Sequence, residues 1–165
     1  PGELPQVSDW ADHLTTIFPE VRLKQFLEMR GADGGAWNRI CALPALWVGI
    51  LYEQNSLDAA WDICKNWTSE QRYQLRRVAS RDGINGTVGN ISLKELAKEI
   101  LKISRAGLQA RKKLSNNKQS QDESHFLNIL DETINMGITP ADELLSFYSN
   151  YPNKTIDRMF DQFCY

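Results

Sequence analysis

Arg22, Lys24, Glu28 and Arg30 are the residues of this 165-residue chain whose types and spacing are best suited to chemistry. They lie in Pro19–Asp33, the one stretch with a clear two-residue period. On a strand, alternate side chains share a face, so Arg22, Lys24, Phe26, Glu28 and Arg30 point one way and Val21, Leu23, Gln25, Leu27 and Met29 the other. Same-face neighbours sit roughly 6.6–6.8 Å apart. Arg22 and Lys24 therefore repel unless an anion lies near them. A carboxylate beside an arginine is what magnesium–nucleotide chemistry needs: oxygen for a hard cation and a forked donor for phosphate or carboxylate oxygens. Thr15 and Thr16 upstream would add hydroxyl donors, and Gly31, Gly34 and Gly35 form a turn directly after. The face is thus a candidate wall for phosphoryl transfer. The competing reading is the water-facing side of an antiparallel sheet, and periodicity alone does not choose between them.

The elements that must position this face are mostly helices. Ser8 is placed to cap a short helix through His13 and Leu14, with Asp9 and Asp12 near its positive end, leading into a single strand with no evident sheet partner in the sequence. After the glycine turn the pattern predicts a helix from Trp37 to about Glu53, apolar almost all round and bent or restarted at Pro44. Further helices are predicted over Ser56–Trp67 and Ser69–Val78. Ser92 and Glu95 make a capping box for a long helix to about Arg111, with Leu93, Leu96, Ala97, Ile100, Ile103 and Leu108 as its inner stripe. Lys112–Ser124 reads as an exposed mobile loop. His125–Met136 is a helix ended by Gly137, and Thr139-Pro140 opens another over Ala141–Ser149. Tyr151, Phe160, Phe163 and Tyr165 suggest a last helix docked on the body.

Composition narrows the partners. A net charge of −2 and no basic patch interleaved with aromatics argue against nucleic acid. The longest uncharged apolar run, Ile40–Leu51, is interrupted by Pro44 and Gly49 and is too short for a membrane span, which needs about 17–25 residues. Cys41, Cys64 and Cys164 show no metal-binding spacing and are odd in number, which favours reduced thiols in a cytosol-like compartment. His13 and the five tryptophans are more simply structural than ligand-binding. The sequence starts Pro1-Gly2, and a fragment of a longer protein is expected.

The residues also carry a family resemblance. The run Asp9-Trp10 with His13–Lys24, then Phe26–Gly35 and Cys41–Gly49, resembles the plant and proteobacterial type of glutamate-cysteine ligase. It continues through Asn66-Trp67-Thr68, Arg81-Asp82-Gly83 and Gly137–Ala141, departing at Ala36, where the family commonly has proline. The resemblance implies the C-terminal part of an ATP-dependent ligase that joins the γ-carboxylate of glutamate to the amine of cysteine through γ-glutamyl phosphate, the first step of glutathione biosynthesis. The implied fold is α+β and predominantly helical: one or a few strands of a glutamine-synthetase-like antiparallel catalytic sheet in residues 1–35, then a helical layer of the same domain in 36–165. By similarity to the E-x-R motif of these ligases, Glu28 is expected to bind magnesium and Arg30 to be the catalytic cation facing phosphoryl or carboxylate oxygens. Arg22 and Lys24 are secondary candidates, with Arg30, for binding substrate or ATP anions. The implied cofactors are ATP and Mg2+; the implied partners are glutamate, cysteine and the rest of the ligase chain, with a homodimer left open. The compartment is cytoplasmic, or the plastid for a plant or algal source. Plant members are redox regulated through disulfides, and a partner for Cys41 would lie outside this chain. The rival readings are a related ligase with another amine acceptor and a non-catalytic helical interaction module.

Overall fold

The residues of Pro19–Asp33 do not form one strand. In the computed structural model, which describes residues 4–32, 34–114, 122–150 and 156–163, strands β1 (Val21–Leu23) and β2 (Leu27–Met29) pair antiparallel, with the chain reversing at Lys24-Gln25-Phe26. The sheet partner that the sequence did not reveal is the other half of the same stretch. Nothing at 24–26 announces a turn, since the connection contains no glycine, proline, asparagine or aspartate. The two-face partition nevertheless survives. Val21 pairs with Met29, Arg22 with Glu28 and Leu23 with Leu27, so every odd-numbered residue faces an odd-numbered partner. Lys24, Gln25 and Phe26 are exceptions, being in the connection rather than on a strand face.

The chain divides into two units, residues 1–34 and 35–165. In the first, helix α1 (Val7–Thr15) precedes the hairpin. Its start lies earlier than a Ser8 cap would set it: the Asp9 carboxylate accepts the Gln6 backbone N–H at 2.7 Å. No described residue of this unit is fully buried. Val21, Leu23 and Leu27, the apolar face of the hairpin, are exposed, whereas Arg22, Glu28 and Arg30 are partly sheltered.

The second unit is helical. It comprises α2 (Trp37–Leu51), α3 (Gln54–Cys64), α4 (Ser69–Asp82), a small hairpin of β3 (Thr87–Val88) and β4 (Ile91–Ser92), α5 (Leu93–Leu114), a 3-10 segment at Glu123–Leu127, α6 (Asn128–Met136), α7 (Pro140–Asn150) and α8 (Asp157–Phe163). Its core is Ala45, Leu101, Leu108, Leu127 and Ile134. α2 continues through Pro44 without restarting. It is not buried all round, because Trp37 and Ile40 face solvent while Ala42, Ala45, Gly49 and Ile50 are covered.

α2 and α5 cross backbone to backbone. A Cβ on Gly107 would lie 1.9 Å from the Gly49 carbonyl oxygen, and one on Gly49 would lie 2.3 Å from the Ser104 carbonyl oxygen. The buried Ser104 hydroxyl donates to the Leu46 carbonyl at 2.9 Å. At this crossing Ile103 and Leu108 of the predicted stripe are buried together with Leu101 and Ser104, while Leu93, Leu96, Ala97 and Ile100 of the same stripe are half-buried. The expected loop at 112–124 narrows, since α5 reaches Leu114 and the 3-10 segment begins at Glu123; residues 115–121 lie outside the described residues. At the far end Phe147 and Phe163 meet edge to face at 5.3 Å, joining α7 to α8, while Tyr151 and Tyr165 lie outside the described residues. No helix among the described residues is long and apolar enough to cross a membrane.

Candidate active-site hairpin

Cross-strand pairing sets the candidate site. Arg22 and Glu28 are direct partners in the β1–β2 register, so the backbone alone brings their side chains to one place. Arg22 Nε donates to Glu28 Oε2 at 2.8 Å. Arg30 follows Glu28 on the same face, and its Nη1 donates to Glu28 Oε1 at 2.8 Å. Lys24, from the connection, brings its Nζ to 3.8 Å from Oε2. All four residues singled out in the sequence thus converge, with Glu28 at the centre and three cations around it.

The backbone around this cluster is tied as well. The Arg30 N–H donates to the Glu20 carbonyl at 2.9 Å, extending the hairpin by one link, and Lys24 N–H donates to the Phe26 carbonyl at 2.9 Å. Arg22 Nη1 reaches the Thr15 carbonyl at 3.3 Å. The hydroxyls of Thr15 and Thr16, expected to serve the site, instead donate to the carbonyls of Asp12 and His13 and close the end of α1.

Electrostatically the cluster is a carboxylate held by cations. The hydrogen bond from Arg22 is the main cause that holds the Glu28 carboxyl below its ordinary value; partial desolvation opposes it, and the charge of Arg22 and the bond and charge of Arg30 reinforce it. Glu28 is therefore fully ionised at neutral pH, as a metal ligand or an anchor for cations must be.

The E-x-R resemblance places Arg22 behind Arg30. The geometry ranks them together: both donate to Glu28 at 2.8 Å, and Arg22 is the more sheltered, 18% exposed against 29%. One member was missed altogether. Phe18, between α1 and β1, lies under both guanidinium groups, with Arg30 Cζ 4.8 Å and Arg22 Cζ 5.9 Å from its ring centroid. The available signal was its place directly before Pro19, in a segment with little other reason to be rigid.

For a divalent cation the hairpin supplies one oxygen donor, Glu28, of the about six that magnesium takes. Among the described residues no group of three His, Cys, Asp or Glu side chains is gathered to hold a metal ion. Both Glu28 oxygens already accept from arginines, so metal coordination there means sharing or exchanging these bonds. His13 stays on α1, its ring 6.0 Å from Trp10. Cys41 and Cys64 are free thiols; Cys164 lies outside the described residues.

The whole chain can be placed among known proteins. Residues 2–161 match glutamate-cysteine ligase family 2 (GCS2). The chain belongs to this family. It is 45% identical, along its full length, to a chloroplastic glutamate–cysteine ligase of Arabidopsis thaliana, covering 30% of that protein. Similar enzymes of Medicago truncatula and of Oryza sativa subsp. indica, named chloroplastic glutamate–cysteine ligase and chloroplastic glutamate–cysteine ligase A, are each 46% identical over 165 residues. The chain spans 31% of the first and 32% of the second, about a third of the length of these ligases.

Proposed function

We propose that this chain is part of an ATP-dependent ligase that joins the γ-carboxylate of glutamate to the amine of cysteine by way of γ-glutamyl phosphate. Its contribution would be the charged face of the β1–β2 hairpin, as part of a glutamine-synthetase-like antiparallel catalytic sheet whose other strands come from the rest of the ligase. The observation that carries this reading is the convergence of Arg22, Lys24 and Arg30 on Glu28, in a chain of the glutamate-cysteine ligase family.

In this reading Arg30 and Arg22 present forked donors to anionic oxygens, of the transferring phosphoryl group or of a substrate carboxylate, and stabilise charge as it moves from ATP to the γ-carboxylate. Lys24, more exposed at the hairpin tip, supplies a mobile point charge for nucleotide or substrate anions. Glu28 would be one oxygen ligand of Mg2+ and, through its bonds, aligns the two arginines. Bound magnesium would neutralise phosphate charge and so ease attack by the carboxylate. The chain alone is expected to be inactive, because one carboxylate cannot hold the metal and nucleotide unaided. The chloroplast named for the relatives favours a plastid over the cytoplasm as the compartment.

The experiment is Glu28→Gln in the full ligase. Loss of Mg-ATP-dependent acyl phosphate formation, with the fold intact by circular dichroism, is expected. Near-normal turnover would remove Glu28 from the site.

A further inference from the structure

We propose that Phe18 is a positioning residue of this site, its ring holding the Arg30 and Arg22 guanidinium groups in the arrangement in which they meet Glu28. The inference rests on the reading of the charged hairpin face as part of the ligase active site.

Three observations lead to it. First, Arg22, Lys24 and Arg30 share the one Glu28 carboxylate, so within these ion pairs cations are in excess. The negative face of an aromatic ring offsets such an excess without adding a second anion that would compete for the arginines. Phe18 is placed to do so, 4.8 Å from Arg30 Cζ and 5.9 Å from Arg22 Cζ. Second, within this chain burial does not explain the residue. Phe18 is 69% exposed, so little of its surface is removed from water, and its aromatic contacts are with cations. Third, the ring is mounted on a stiff support. Proline at 19 restricts the backbone of the residue before it, and the Arg30 N–H to Glu20 carbonyl bond joins the next residue to the strand that carries the arginine.

Arginine side chains have many rotamers, and partly exposed ion pairs by themselves order them weakly. Contact with the ring limits the positions a guanidinium can take and so keeps the two groups where they meet Glu28. Phe18 does not touch the reacting atoms in this account; it acts through Arg30 and Arg22.

The test compares Phe18→Leu, Phe18→Trp and the parent in the full ligase, reading kcat/KM for glutamate and for Mg-ATP together with Tm. Removal of the ring in Phe18→Leu is expected to lower kcat/KM by about two- to fivefold with Tm unchanged, and Phe18→Trp to restore it. Parental activity in Phe18→Leu overturns the proposal. So does an equal loss in both variants accompanied by a fall in Tm, which would make Phe18 a packing residue. Arg30→Lys and Glu28→Gln are measured in parallel. If these retain normal turnover, the active-site reading fails; if they lose it while Phe18→Leu does not, only the role of Phe18 fails.

Discussion

Arg22 and Glu28 are paired across the β1–β2 hairpin, and their side chains meet at 2.8 Å between Nε and Oε2. The backbone register thus assembles most of the candidate site. It delivers a carboxylate and a guanidinium to one face before any side-chain preference enters.

This bond sets a pH dependence. The Glu28 carboxyl is held below its ordinary value of 4.5, chiefly by Arg22. A depressed native value means that the stabilisation is fully present above 4.5 and is lost as pH falls through the lower native value. Carboxyl-selective 13C titration of the full ligase should place the Glu28 midpoint below 4.5, and Arg22→Gln should move it upward.

The equal geometry of the two arginines predicts equal sensitivity. Arg22→Lys and Arg30→Lys keep the charge but lose the planar guanidinium, one N–H of which donates to Glu28 and the rest of which, in the proposed reaction, faces anionic oxygens. Each is expected to lower ligase kcat/KM by about tenfold or more, the effect of losing one charge-assisted bond. A large effect at Arg30 with none at Arg22 would restore the ranking suggested by the E-x-R motif alone.

In the helical unit the α2–α5 crossing predicts a severe effect from one methyl group. With Cβ 1.9 Å from the Gly49 carbonyl and 2.8 Å from Ser56 Oγ, Gly107→Ala must push the helices apart. A loss of about 1–3 kcal/mol or more is expected in denaturant unfolding, because overpacking a tight contact shifts backbone. The same change at the exposed Gly34, where nothing among the described residues lies within 4 Å of a Cβ, serves as the control.

Leu127→Ala tests the core. Leu127 is fully buried beside Leu108 and Ile134, so truncation should cost about 2–5 kcal/mol. Leu145→Ala, at a side chain 62% exposed, should change stability by no more than about 0.5 kcal/mol. Chemical denaturation of the two variants in parallel reads the difference directly.

Much of the local structure was legible in the sequence because it depends on near neighbours. Gly137 ends α6 with φ of 69°, a left-handed angle that glycine accepts at no steric cost. Thr139 and Asp142 cap α7 reciprocally, the Asp142 N–H reaching Thr139 Oγ1 at 3.2 Å and the Thr139 N–H reaching Asp142 Oδ2 at 2.8 Å. Ser92 accepts from the Glu95 N–H at 3.4 Å at the start of α5. The grouping of Arg22, Glu28 and Arg30 on one face was also legible, since alternation survives a hairpin whose partners share parity.

The sequence by itself determined the α+β and mainly helical character, the breaks at Gly137 and Thr139-Pro140, and that Arg22, Glu28 and Arg30 look the same way. The C-terminal ends of α3, α4 and α5, by contrast, fall several residues from where the pattern sets them. Tertiary structure decided that Pro19–Asp33 folds back on itself, that Arg22 stands beside Arg30, that Thr15 and Thr16 turn to their own helix, and that Phe18 lies under the cations. It also decided which residues of α5 are most deeply covered, through Gly49, Ser104 and Gly107, whose small side chains permit a close crossing. The physical reason is common to these cases. Local periodicity records only a residue's preference for water or apolar surroundings, whereas register, stacking and close approach depend on which partner the folded chain brings opposite it.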